Sequence, residues 1–161
     1  MNLRARVLEL VAADDGAALS ELVADEPRAI RHLVGCTYQA DERIREVACR
    51  GIGRAARHHP ELVQQVVRRL IWAMNDESGT NALTAPGVVK AVADEKPDLL
   101  LPLVPDLVRL AADEGLQTPL AEALGNLVEK FPGSVGRGIE DSLNKELRKI
   151  AKKRKTHGLG D

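Results

Sequence analysis

The chain has 161 residues, with 23 Lys and Arg against 24 Asp and Glu, so its formal net charge is −1. Tyr38, Trp72 and Phe131 are its only aromatic residues. The core must therefore be built from Leu, Val, Ala and Ile, and this composition disfavours aromatic base-stacking platforms and aromatic cages. A length near 160 residues predicts one domain with a substantial apolar core.

The sequence indicates neither export nor a membrane span. The apolar stretch near the N-terminus is interrupted by Glu9 and Asp14, too early for a signal peptide. No stretch approaches the roughly 20 apolar residues that a membrane span needs. The two cysteines, Cys36 and Cys49, lack C-x-x-C spacing and are expected to be reduced thiols. We therefore expect a soluble, cytoplasmic protein.

Apolar periodicity and helix-breaking residues predict an all-α chain without strands. In chain order, the predicted helices span residues 2–13, 17–24, 27–38, 42–58, 60–74, 85–95, 98–112, 118–130 and 133–154.

Four prolines divide this pattern at nearly equal intervals. Pro27, Pro60, Pro97 and Pro132 are 33, 37 and 35 residues apart. Each is expected to end one helix and start the next, because the residue before proline avoids the α region and proline suits the first helical turn. Each proline thus marks the joint of a helical hairpin.

Apolar residues recur at fixed distances from these prolines. Eight residues before them are Leu19, Ile52, Val89 and Leu124, and three residues after them are Ile30, Val63, Leu100 and Val135. A period of about 35 residues with one apolar stripe per helix predicts an α-solenoid of about four antiparallel hairpins that share one continuous core. We therefore expect Ile52, Val89 and Leu124, which are equivalent by register, to be buried in an elongated right-handed stack.

This register resembles that of HEAT-like repeats, including the short prokaryotic type named after the phycobilin lyases. The best-matching unit is Asp41 to Ala48, which is similar to the acidic-start, "VR..A" second helix of such repeats. The resemblance covers roughly residues 17–145. It implies a curved rod rather than a particular chemistry. With the length of the chain, it predicts a single HEAT-like repeat domain over residues 1–161.

Four arginines lie away from the apolar stripe of the helix predicted at 42–58. They are Arg43, Arg50, Arg54 and Arg57. Since the planar guanidinium suits carboxylates and phosphates, one interpretation is a docking ridge for an anionic partner. The alternative is a solvated face that Glu42 and Glu46 partly neutralise.

The longest predicted inter-helix loop is a second candidate site. It follows Trp72 and contains Asn75, Asp76, Glu77 and Ser78. The string from Trp72 to Gly79 is similar to one in some prokaryotic HEAT-like proteins. These side chains could bind a ligand, or they could serve as turn and cap residues while Trp72 packs in the core. We expect Trp72 to be mostly buried and the loop to be exposed.

The C-terminal segment is strongly basic and is a third candidate. Residues 145–161 carry a net charge of +5, whereas residues 1–144 carry about −6. Lys152, Lys153, Arg154 and Lys155 form the centre of a tail at 152–161 that could fray. They could attract an anionic partner, or they could simply stabilise the last helix as cations at its C-terminus.

No catalytic or metal-binding motif is present in the sequence. Neither His58 and His59 nor the two cysteines have the spacing of a metal site, so we expect no metal and no cofactor. The favoured function is protein–protein interaction by a small scaffold without catalysis. The alternative is binding of nucleic acid or another polyanion through the arginine ridge and the tail. A HEAT-like enzyme of the bilin lyase or DNA glycosylase type is a third possibility.

Overall fold

The computed structural model describes residues 1–74, 84–114 and 118–156. This part of the chain is all-helical, with no strand. Its α-helices are α1 (Leu3–Ala12), α2 (Gly16–Asp25), α3 (Ala29–Cys36), α4 (Glu42–His58), α5 (Pro60–Met74), α6 (Ala85–Glu95), α7 (Val104–Glu114), α8 (Thr118–Lys130) and α9 (Arg137–Thr156). A 3-10 helix, Pro97–Leu103, precedes α7.

Three of these helices have a short polar residue at the N-cap position. Asn2, Asp15 and Asp41 accept hydrogen bonds from backbone N–H groups in the first turns of α1, α2 and α4. Such caps satisfy N–H groups that have no partner within the helix. The polar residues at these points therefore fix where each helix starts.

The turn between α1 and α2 is closed by the backbone. The Asp14 N–H bonds to the Val11 carbonyl and the Asp15 N–H to the Leu10 carbonyl. These two bonds form a Schellman motif, which requires a left-handed residue after the helix. Asp14 fills that position with a φ of 52°, although glycine is the usual residue there.

Even-numbered helices pack on one another in sequence. The contacts of α4 with α6 and of α6 with α8 are the most extensive, and α2 packs on α4 at one end and α9 on α8 at the other. Among the other helices, α1 packs on α3, and α5 packs on the 3-10 helix and α7. Sequential neighbours such as α3 and α4 also pack together.

A close backbone approach allows the extensive contact of α4 with α6. A Cβ atom added to Gly53 in α4 would lie 2.5 Å from the Ala91 carbonyl oxygen in α6. A methyl group cannot fit at that distance, so glycine at this position sets how closely the two helices pack.

The buried side chains form one continuous apolar cluster from Val7 to Ile150. Ile52, Val89 and Leu124 are at most 1% exposed, so the prediction that these three residues are buried is confirmed. The other residues named at fixed offsets from the prolines are also buried, namely Leu19, Ile30, Val63, Leu100 and Val135.

Two predicted helices differ from those observed. The helix predicted at 98–112 is divided into the 3-10 helix and α7, because Pro102 and Pro105 cannot donate the backbone hydrogen bonds of a continuous α-helix. The helix predicted at 133–154 begins only at Arg137, since Gly133 and Gly136 both have positive φ angles. It continues to Thr156, so residues 152–156 of the predicted tail are helical.

Candidate groove between helices α3 and α5

A groove of about 530 Å³ lies between α3 and α5. Helix α3 packs closely against α1 and α4 but not against α5, which leaves the space between them open. Its apolar lining comes from both helices and includes Ile30, Val34, Leu62, Val66, Leu70 and Ala73. A cavity of this size and character is typical of a binding site.

The α5 wall of the groove is apolar because α5 has more apolar residues than its contact with the core uses. Val63, Val67, Leu70 and Ile71 are buried in the core. A second apolar row, Leu62, Val66 and Ala73, lies beside the first and faces the groove. The spacing of 4 and 7 residues keeps this second row on one side of the helix. Leu62 is 41% exposed, so part of this apolar row is open to solvent.

The polar rim of the groove carries one sign of charge. Arg28, Arg31 and Arg69 line it, and no acidic residue does. Only Arg28 has an ion-pair partner, since its guanidinium lies 3.5 Å from the Glu26 carboxylate. Arg31 and Arg69 form no ion pair with any residue that the structure describes. The local charge is therefore positive although the whole chain is nearly neutral.

Two exposed aromatic side chains lie near the groove, Tyr38 just after the end of α3 and Trp72 near the end of α5. Tyr38 lines the groove and is 47% exposed. Trp72 is 76% exposed, so the prediction that it is mostly buried is wrong. It lies beside Arg68, Arg69 and Ala73 in a hollow that adjoins the groove. Nine residues separate Trp72 from the buried Val63, a rotation of about 180° around the helix.

The four arginines of the predicted ridge on α4 have different surroundings. Arg50 contacts the Asp14 carboxylate at 3.3 Å, and Arg57 contacts the Glu95 carboxylate at 2.8 Å. Arg54 lies over Gly16 at the start of α2. Arg43 is exposed and forms no ion pair within the described ranges. Two of the four guanidinium groups thus connect α4 to neighbouring elements on either side.

Further polar contacts link α6, α8 and α9. Lys90 contacts Asp94 at 2.8 Å and Glu122 at 3.8 Å, and the Asn126 amide donates to Asp94. Arg154 pairs with Glu122 at 2.8 Å. Of the predicted tail residues, Arg154 therefore contacts α8, whereas Lys152 and Lys155 are exposed on the last turns of α9.

His58 and His59 have hydrogen-bond partners on other parts of the fold. His59 Nε2 lies 2.9 Å from the Val23 carbonyl oxygen. Because a carbonyl only accepts, Nε2 carries the proton. His58 Nε2 lies 3.0 Å from the Ser20 hydroxyl. Both cysteines are free thiols, and burial, reinforced by Glu46, raises the pKa of Cys49 to about 11. No cluster of His, Cys, Asp or Glu suited to a metal occurs among the described residues.

The predicted loop residues Asn75, Asp76, Glu77 and Ser78 lie outside the described residues. None of the described helices is long and apolar enough to cross a membrane.

Comparison with known proteins gives no relative. No protein-family model matches the chain, and neither a curated protein nor a solved structure is significantly similar to it. The function must therefore be argued from the surface of the molecule.

Sequence analysis missed the groove, although it identified the helices that form it. The available signal was the doubled apolar pattern of α5, in which Leu62 and Val66 duplicate the buried Val63 and Val67. A helix that buries one side needs only one such row. The second row indicated a further contact surface.

Proposed function

We propose that this protein is a HEAT-like helical-repeat module of the cytoplasm that binds another protein through the groove between α3 and α5. The observation that carries the proposal is the groove itself, which has an apolar lining, an exposed Leu62 side chain and a basic rim, and which adjoins the hollow that holds the exposed Trp72 side chain. Exposed apolar surface rimmed by polar residues is typical of protein interaction sites.

The inter-helix polar contacts support a repeat architecture. The bond from Gln64 to Leu99 joins residues 35 apart, that of His59 with Val23 joins residues 36 apart, and that of Asn126 with Asp94 joins residues 32 apart. These separations are close to the proline spacing of 33 to 37 residues. Equivalent positions of successive hairpins contact one another in a solenoid, which is the arrangement that we propose here.

A double variant and a control variant, each compared with the intact chain, test the binding site. We would capture partners from native cell extract with the intact chain, with Leu62→Glu combined with Trp72→Ala, and with Leu8→Glu. Leu8 is also an exposed leucine, but it lies on α1 and does not line the groove. A captured protein would then be purified and titrated against all three.

We expect the groove variant to bind the purified partner at least about tenfold more weakly, since truncating a hot-spot side chain at an interface costs about 2 kcal/mol or more and a tenfold loss corresponds to about 1.4 kcal/mol. The Leu8→Glu variant should bind as the intact chain does. Equal binding by all three proteins would refute the groove as the site.

Binding of a polyanion is a second candidate, which the solvent side of α9 favours. Lys145, Arg148, Lys149, Lys152 and Lys155 lie at successive spacings of 3, 1, 3 and 3 and are exposed, whereas Leu143 and Ile150 are buried. Lys149 alone of these five has an ion-pair partner among the described residues, Glu146 at 3.9 Å. The arginine ridge adds less to this surface, because Arg50 and Arg57 are paired.

Salt dependence distinguishes the two candidates. Duplex DNA bound through this face should show a log–log salt slope of about −4 to −6, since each neutralised phosphate contributes roughly −0.9. The net negative charge of residues 1–144 opposes such binding, so we expect weak binding at physiological salt. A submicromolar complex that is lost with Lys152→Ser and Lys155→Ser would favour the polyanion function instead.

A further inference from the structure

We infer that the partner in the α3/α5 groove is an amphipathic α-helix of another protein, with acidic residues flanking its apolar face. This inference rests on the proposed function and specifies the chemistry of its partner. It follows from the shape of the groove, from the internal hydrogen bonding of the helices that form its walls, and from the sign of its rim charges.

The length of the groove suits a short helix. Its α5 wall runs from Leu62 to Ala73, which is about 16 Å at 1.5 Å per residue. About three turns of a partner helix have the same length. Apolar residues at i, i+4 and i+7 or i+8 of that helix would face the second apolar row of α5.

A helical partner also meets the hydrogen-bonding constraint better than an extended one. Both walls of the groove are α-helices, and away from the helix ends their backbone N–H and C=O groups are bonded within each helix. An extended segment would find no free backbone group to bond along the middle of these walls. Gln65 supplies the only side-chain amide in the lining. A helix satisfies its own backbone, so it can enter an apolar groove without leaving polar groups unpaired.

The rim charges determine the flanks of the partner. Arg31 lies on the α3 wall and Arg69 on the α5 wall, so a helix between them would have a guanidinium group on either side. Arg68 adds a third charge beside Trp72. Acidic residues on both edges of the partner helix would pair with these groups, whereas basic residues would be repelled.

A peptide selection tests this inference on the purified full-length chain. The library consists of 16-residue amphipathic peptides with apolar residues at helical spacing and with Glu or Lys at random in each flanking position. The same selection is run on the double variant Arg31→Glu, Arg69→Glu, whose helix content is first compared with that of the intact chain by circular dichroism. Trp72 fluorescence then reports binding of individual peptides.

We expect peptides selected by the intact chain to be enriched in Glu at the flanks and to shift the Trp72 emission to shorter wavelengths. Their affinity for the double variant should be at least roughly tenfold lower, and that variant should select Lys instead. Peptides containing a central proline should not bind, because proline breaks the helix.

Any of four results would overturn the inference. The first is that the selected peptides show no preference for Glu at the flanks. The second is that a peptide with a central proline binds as tightly as the same peptide without it, and the third is that no peptide is selected. Protection of Trp72 from a soluble quencher as the concentration of the protein rises, without peptide, would also overturn it, because a second copy would then cover the groove. None of these results alone refutes protein binding at the groove, which the extract experiment with Leu62→Glu and Trp72→Ala decides separately.

Discussion

The side-chain amide of Gln64 in α5 donates a hydrogen bond of 3.0 Å to the backbone carbonyl of Leu99 in the 3-10 helix. The two residues are 35 positions apart, and the bond is partly buried. It connects α5 to the element that follows α6, and so it ties together two parts of the chain that are not neighbours in sequence.

Loss of this bond should be measurable against an adjacent control. Gln64→Ala is expected to lower the free energy of unfolding by about 1 kcal/mol, since it removes a hydrogen bond and leaves the Leu99 carbonyl without this donor. Gln65→Ala changes an exposed amide that bonds to no described residue, and it should change stability by less than about 0.5 kcal/mol. Denaturant unfolding of both variants measures the two changes in the free energy of unfolding. Equal changes would contradict the stabilising role of the Gln64 bond.

Two glycine-to-alanine substitutions should have opposite effects. Gly35 lies in α3 with no atom within 4 Å of an added Cβ, so Gly35→Ala should stabilise the protein by up to about 1 kcal/mol through helix propensity. Gly53→Ala would place the methyl group against the Ala91 carbonyl. We expect a net loss of about 1 to 3 kcal/mol as α4 and α6 move apart. Thermal unfolding measures both, and a stabilised Gly53→Ala would show that the contact is looser than described.

The left-handed conformation of Asp14 predicts a particular order of variant stabilities. Asp14→Gly and Asp14→Ala both remove the ion pair with Arg50, but only glycine adopts a φ of 52° without strain. The glycine variant should therefore be more stable than the alanine variant by about 1 kcal/mol.

Asp14→Asn isolates the ion pair, because asparagine tolerates this conformation and lacks the charge. Since both partners of the pair are about half exposed, its loss should cost less than about 1 kcal/mol. Equal stability of the glycine and alanine variants would mean that the backbone conformation of this turn is not the controlling factor.

Cys49 should react slowly with iodoacetamide near neutral pH. Burial is the main cause that raises its pKa from 9.0 to about 11, and the Glu46 carboxylate adds to the shift. Only the thiolate is nucleophilic, so alkylation should remain slow until the pH approaches 11. The rate is measured in a Cys36→Ala background, in which Cys49 is the only thiol. Alkylation as fast as that of a free cysteine at neutral pH would contradict the assignment.

The same shift has a consequence for stability. Because the folded chain holds the Cys49 proton more tightly than the unfolded chain, this contribution is fully present below about pH 9 and is lost as the pH rises towards 11. The stability difference between the intact chain and Cys49→Ala should therefore become less favourable to the intact chain over that interval. A constant difference would show that the thiol does not titrate with a raised pKa.

The sequence by itself determined the helices and their buried stripes. The prolines and the apolar residues at fixed offsets from them are local signals, and a helix bounded by caps and prolines forms wherever they occur. This is why α4, α5, α6 and α8 begin and end at the predicted residues, and why Ile52, Val89 and Leu124 are buried. Where the local signals were misjudged, as at Pro102, Pro105, Gly133 and Gly136, the physical cause is also local.

Only the tertiary structure decided which apolar residues would remain exposed. Helix α5 is apolar over so wide an arc that its sequence permits burial of either the row containing Val63 or the row containing Leu62. The neighbours of α5 cover the Val63 row, while α3 packs against α1 and α4 and leaves the Leu62 row and Trp72 open. Burial depends on which helices pack together although 30 or more residues separate them in the sequence. That pairing of helices is a property of the whole packing arrangement rather than of any one helix.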